Sequence, residues 1–232
     1  MIYHNWADQL PSDIEICLAR LPGREGRLRE APLTHLTPLL QLISAEIRPL
    51  LNKPYAFFGH SMGAIIAFEL ARILRHEREP EHLFISGRRA PQLPRDEPTT
   101  YHLPEAEFIA AVRKLNGTPR EVLEHPELMK LMLPLLRADF EVCQTYSFVP
   151  GTPLNCDMTI LGGLKDWDVP RQSLVAWSEQ TTGACTVRML PGDHFFLHSS
   201  QTLLMRVLIR ELLSVMLKNQ KSVLGMLSTT TR

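Results

Sequence analysis

Ser61 stands in the stretch Gly59-His60-Ser61-Met62-Gly63, a G-x-S-x-G pattern that frames a hydroxyl with two residues lacking side chains. A serine hydroxyl attacks a carbonyl only when a base takes its proton and donors receive the oxyanion. The chemistry in question is therefore acyl transfer, with an imidazole and a carboxylate supplied from elsewhere in the chain. Five residues of this kind also occur in glycine-flanked turns that do nothing, so the surroundings must decide. "YAFFG", ending at Gly59, reads as a short buried parallel strand. "AIIAFELARILRH", from Ala64, reads as a helix with its charges on one side. Ser61 then falls on the turn from strand to helix, where a nucleophilic serine sits in strained backbone. Side chains at 59 and 63 are expected to clash with the neighbouring strand and helix. The helix N-terminus adds partial positive charge, and the Met62 amide is the candidate oxyanion donor.

In this architecture the acid follows the serine and the histidine comes last. Nine histidines are present. His194, in "PGDHFF", follows the strand "CTVRML" and precedes the last helix, so its loop faces the same sheet edge as Ser61. His198 enters the final helix and ranks far lower. His60 is next to the serine but should point away from it, as packing or support. The loop after "MTILGG" offers Asp166 and Asp168. Asp166 lies three residues past Gly163 and is preferred; Asp168 is placed to cap the helix that begins near Pro170. Capping alone would account for either aspartate. In the triad reading Ser61 attacks, His194 takes and returns the proton, and Asp166 fixes the imidazole tautomer.

These residues need a scaffold, and the hydrophobic pattern describes one. Alternating Ile14, Ile16 and Leu18 read as a strand running into a Pro-Gly turn. Residues 34–51 are helical, 55–59 a strand, 64–76 a helix and 82–87 a strand. That alternation implies a mostly parallel α/β sheet with crossover helices. Between about Ala90 and Pro153 no good strand appears. "TPRE" at 118–121 reads as a capping box, and 126–146 as a helix kinked at Pro134. A helical insertion at about 95–150 in one 1–232 domain fits better than a second domain. The sheet pattern resumes with "DMTILGG" and "CTVRML"; a long helix closes the fold, and "GMLSTTTR" reads as frayed.

The bulk numbers exclude several functions. The 232 residues carry 25 basic and 25 acidic side chains, which argues against a nucleic-acid binder. No apolar run approaches the roughly 20 residues of a membrane span, and no signal peptide is apparent. The four cysteines are scattered, without a CxxC pair, as expected of reduced thiols in a cytoplasmic protein. Histidine spacing suggests no metal site, and no phosphate-cradling glycine loop implies a cofactor.

Taken in order, "LPGREGRLRE", "YAFFGHSMGAIIAFELAR", "GGLKDWDVP", "AWSEQTTG" and "PGDHFFL" resemble the type II thioesterases that accompany nonribosomal peptide and polyketide synthases, the gramicidin-S-type external thioesterases. The resemblance runs from about Trp6 to the last helix. It implies an α/β-hydrolase fold and hydrolysis of acyl thioesters on the phosphopantetheine arm of carrier proteins, an editing reaction. It maps the triad onto Ser61, Asp166 and His194, and makes the insertion a lid over an acyl pocket. Phe108, Leu131, Met132 and Leu135 are candidates to line that pocket; packing of the lid on itself explains each equally well. The carrier protein and its small acyl group are the expected partners of a monomer, with no nucleic acid or membrane. Two departures stand out. The family's N-terminal strand and Gly-rich oxyanion loop are not found ahead of "YHNWADQLP", and Asp193 replaces the usual glycine before the histidine. The first departure leaves open a catalytically weak, carrier-binding remnant. Other readings are a medium-chain fatty acyl thioesterase and, more distantly, a carboxylesterase or lipase.

Overall fold

The computed structural model describes residues 3–95, 97–114 and 123–229. Its contacts divide the chain into two compact units, one of Met1–Leu18 with Leu197–Arg232 and one of Ala19–Phe196.

The larger unit is built on four parallel strands: β1 (Ala56–His60), β2 (His82–Ser86), β3 (Asp157–Gly163) and β4 (Cys185–Leu190), in spatial order β1-β2-β3-β4. β2 is buried throughout, and β3 at every residue after Asp157. Both faces are therefore covered, and these strands read as apolar runs rather than alternations. Among the described residues this unit carries the α-helices α1 (Leu36–Ile47), α2 (Met62–Leu74), α3 (Glu105–Lys114), α4 (Pro126–Thr145) and α5 (Arg171–Val175).

α2 is the helix that holds Ser61 in place. Ala64, Ala67, Phe68 and Ala71 repeat at i, i+3, i+4 and i+7, and pack on Leu83 and Ile85 of β2 and Met158 and Ile160 of β3. The alanines let the helix lie close to the sheet. Its other stripe, Ile66, Leu70 and Leu74, packs with Leu39, Leu40 and Ile43 of α1 and Val142 of α4. Each fully buried Leu, Ile or Phe contributes about 1.5–3 kcal/mol. A helix buried on two sides cannot shift freely, and neither can the turn at its N-terminus.

Between β2 and β3 the regular elements of the described residues are helices, joined by irregular segments. α4 starts with Pro126 at its first position and His125 as the cap, whose ring accepts from the Leu128 amide. Pro134 lies inside α4 without ending it. The capping box expected at 118–121 lies outside the described residues.

Two expectations are corrected. Ile14–Leu18 is not a strand; the segment is assigned no regular structure and appears in no sheet pairing. Apolar alternation makes a strand only where a neighbour pairs with its N–H and C=O groups. The stretch from Gly225, expected to fray, is helical as far as it is described: α6 (Gln201–Thr229) continues through "GMLST".

The smaller unit contains α6, which buries Leu204, Met205 and Leu208, and a short 3-10 turn at Ala7–Gln9. Tyr3 meets the buried Trp6 edge to face, with centroids 5.0 Å apart. Among the described residues no helix is long and apolar enough to cross a membrane.

Candidate active site

In a parallel sheet all carboxyl ends lie on one edge, and loops leaving that edge share a neighbourhood. Ser61 leaves β1, Asp166 follows β3 and His194 follows β4. The structure brings these three together. His194 Nδ1 lies 2.7 Å from Asp166 Oδ2, and His194 Nε2 lies 3.1 Å from Ser61 Oγ. A carboxylate oxygen only accepts, so Nδ1–H donates to Asp166 and Nε2 is left to accept from the serine hydroxyl. Asp166 and His194 are buried, which keeps competing water away from this pair.

Each side chain is fixed locally. Ser61 has φ +54° and ψ −110°, an unusual conformation for a non-glycine residue. Its amide donates to the Ser86 carbonyl at the end of β2 (2.8 Å), which helps stabilise the strained turn. Gly59 is required by close approach: a Cβ there would lie 2.0 Å from the Gly63 carbonyl oxygen. The expectation that Gly63 also avoids a clash is corrected, because nothing lies within 4 Å of a Cβ at that position. Gly63 is already inside α2, and it is the Gly63 carbonyl and the Ala64 amide that crowd Gly59, while the Cβ position of Gly63 itself is open. Met62 is the first residue of α2, where an amide has no intrahelical acceptor and points out of the helix end.

The acid loop is pinned from both sides. Leu164 and Lys165 amides donate to the carbonyls of Leu190 and Gly192 (2.8 Å each), which ties the loop after β3 to the loop after β4. A Cβ on Gly163 would lie 2.2 Å from the Asp193 carbonyl oxygen, so glycine lets the histidine loop settle over the end of β3. Asp166 uses both oxygens: Oδ2 meets His194, and Oδ1 accepts from the Val169 amide (3.2 Å). It therefore closes its own turn and engages the imidazole at once.

Asp168 does not cap the helix. Its carboxylate lies 3.7 Å from Lys114 Nζ in an exposed pair, and Pro170 precedes α5 with no side-chain cap. Asp168 is two residues too early to reach the first free amides, and Asp166 has taken the turn's donor. Asp193 is half-buried and accepts from the Phe195 amide (2.9 Å). His198 is exposed.

The four lid candidates are dispersed. Phe108 is fully buried between the Phe140 ring (centroids 5.0 Å) and the Arg137 guanidinium (4.5 Å). Leu131 is 65% exposed, and Met132 and Leu135 are half-buried. Leu135 Cδ1 comes within 3.5 Å of the Cβ position of Gly23. α4 is anchored at its carboxyl end, where Arg24 pairs with Asp139, Arg88 and Arg95 donate to the Cys143 carbonyl, and Tyr146 donates to Glu69. Ser86, Gly87 and Phe195 were not singled out from sequence. A strand-end Ser-Gly pair has no chemical signature until its neighbours are known. Among the described residues no three His, Cys, Asp or Glu side chains converge to hold a metal ion.

The sequence matches the thioesterase domain family over residues 1–212. It is 46% identical over 212 residues to the gramicidin S biosynthesis protein GrsT of Aneurinibacillus migulanus, covering 90% of this chain and 83% of that protein. It is 32% identical over 206 residues to the human medium-chain S-acyl fatty acid synthase thioesterase, covering 84% of this chain and 75% of that one. Among solved structures, RedJ, a thioesterase of prodiginine biosynthesis in Streptomyces coelicolor, superposes with a TM-score of 0.84 at 34% identity, covering 90% of this chain and 80% of that chain. The four-stranded parallel sheet with its flanking helices is that of the α/β-hydrolase-fold thioesterases, and the chain belongs to the thioesterase domain family, hydrolases that act on thioesters.

Proposed function

We propose that this chain hydrolyses acyl thioesters on the phosphopantetheine arm of carrier proteins, clearing stalled or misprimed groups from a peptide or polyketide synthase. The observation that carries this reading is the double engagement of His194, 2.7 Å from Asp166 and 3.1 Å from a strained Ser61. The likeness to GrsT and RedJ points to the same setting.

The geometry supports the following course of reaction. Ser61 Oγ attacks the thioester carbonyl while His194 Nε2 takes its proton. The Met62 amide receives the developing oxyanion, with the α2 N-terminus behind it. The carbon–sulfur bond breaks, and the imidazolium returns its proton to the pantetheine sulfur. A water, deprotonated by His194, then attacks the acyl-serine; the free acid leaves and Ser61 recovers its proton. Asp166 stays ionised and holds the imidazole in the required tautomer. The acylated carrier protein as partner, a cytoplasmic setting and a lid formed by α3 and α4 with Phe108, Leu131, Met132 and Leu135 belong to the same proposal.

The test is incubation of the chain with acetyl- and hexanoyl-loaded carrier protein, reading the free pantetheine thiol, with Ser61→Ala as control. Serine-dependent release supports the reading. No release above Ser61→Ala from folded protein would refute it and favour a carrier-binding remnant. The likeness to the medium-chain fatty acid synthase thioesterase supports a second reading, in which medium-chain fatty acyl groups are released. A rate that climbs steeply with acyl length would favour that one.

A further inference from the structure

His60 ends β1 and is paired in register with Ser86, the last residue of β2. Its ring is buried, with Nδ1 2.9 Å from Ser86 Oγ. The chain makes room for that ring. At the next position after Ser86, a Cβ on Gly87 would lie 2.6 Å from His60 Cε1, and Gly87 turns away with φ +60°. The His60 ring centroid is 5.2 Å from that of His194, tilted by 51°. Phe195 stands 5.4 Å from His60 and 5.1 Å from His194, nearly perpendicular to the latter at 80°. Phe196 lies 5.7 Å from His60, edge to face.

The two hydrogen bonds of His194 define an axis from Asp166 to Ser61, but an imidazole can still swing about that axis. The rings of His60 and Phe195 stand beside the imidazole, with centroids 5.2 and 5.1 Å from its own. We propose that His60 is a positioning residue, its ring oriented by Ser86 and forming with Phe195 the wall that keeps the His194 imidazole between Asp166 and Ser61. This rests on the triad reading above. Misplacement of a reacting group by about 1 Å can cost on the order of a hundredfold in rate, so loss of the wall should appear in kcat.

The experiment compares His60→Ala, His60→Phe and Ser86→Ala, each checked for folding by thermal melting. His60→Ala is expected to lower kcat about tenfold or more with KM within about twofold, because His60 acts on chemistry rather than binding. His60→Phe, which restores a ring, should recover most of the rate, and Ser86→Ala should fall between. In a His194→Ala background, His60→Ala should cost nothing further. A second readout needs no turnover: the downfield proton resonance of His194 Nδ1–H should persist in wild type and His60→Phe and broaden or vanish in His60→Ala. That signal tests the positioning role even if the carrier-protein assay fails. An unchanged kcat and unchanged resonance in His60→Ala, equal damage in His60→Phe, or an undiminished loss in the His194→Ala background would each overturn the proposal and leave His60 as core packing.

Discussion

Asp166 and His194 meet at 2.7 Å because the loops that carry them are stitched together, not because either side chain reaches out. The Leu164 and Lys165 amides donate to carbonyls of the β4 end, and Gly163 lets the Asp193 carbonyl come close. The carboxylate has a second duty to the Val169 amide, which fixes its rotation. This is preorganisation: the imidazole finds its partner already oriented and desolvated.

That double duty separates two variants at one position. Asp166→Asn keeps an oxygen for the Val169 amide but can offer His194 the wrong partner, so the fold should persist while kcat falls by about 10³–10⁴-fold. Asp166→Ala removes both contacts and should also lower the melting temperature. Asp168→Ala loses only an exposed ion pair, with under about 0.5 kcal/mol in stability and no change in turnover expected. Steady-state kinetics and calorimetry on the three proteins check this. Loss of turnover in Asp168→Ala but not in Asp166→Asn would exchange their roles.

The two glycines of the serine turn should respond oppositely. Gly59→Ala drives a methyl into the Gly63 carbonyl and is expected to cost about 3 kcal/mol or more, since the obstacle is backbone. Gly63→Ala meets nothing and fills a helical position, where alanine is favoured over glycine by up to about 1 kcal/mol. Denaturant midpoints of the two variants decide the matter.

Stability should decline at alkaline pH through two half-buried phenols. Burial pushes the Tyr55 hydroxyl, which donates to the Arg78 carbonyl, up to about 12, from an ordinary value near 10. Tyr146 is raised in the same direction by burial and by its hydrogen bond to Glu69. The native state thus holds protons that the unfolded chain has lost. The contribution is complete below the unfolded value near 10 and is lost as pH rises through about 12. Melting curves at stepped alkaline pH should show this fall, and Tyr55→Phe should make it shallower. An equally steep fall in that variant would exclude Tyr55 as a source.

Thiol chemistry should be selective. Burial holds Cys156 at about 12 and also raises Cys143 and Cys185, while Cys17 is exposed. Brief alkylation of the native protein at neutral pH should therefore modify Cys17 first, with turnover retained. Peptide mapping by mass spectrometry reads the site; early labelling of Cys156 would contradict the burial order.

Much of this was written locally. The strands at 56–60, 82–86, 157–163 and 185–190 are short apolar runs, α2 follows β1 without a gap, and Ser61 sits at their junction. Those features depend on neighbours within a few residues, and periodicity and turn chemistry report them directly. The parallel order then places the serine, aspartate and histidine loops on one edge, so the convergence of Ser61, Asp166 and His194 could be expected before any distance was known. What failed was whatever depended on how a residue meets its neighbours in space. Ile14–Leu18 alternates properly but appears in no sheet pairing. Asp168 looks like a cap, yet it pairs with Lys114. Gly63 looks as constrained as Gly59, but only the directions of the absent Cβ atoms tell them apart. The lid candidates share helical spacing, and spacing does not say that Phe108 is buried and Leu131 exposed. Ser61 and His194 are 133 residues apart and meet at 3.1 Å. Sequence determines which residue types stand at the ends of which elements. Tertiary packing decides the orientation of each side chain to within an ångström, because that depends on atoms from several elements at once.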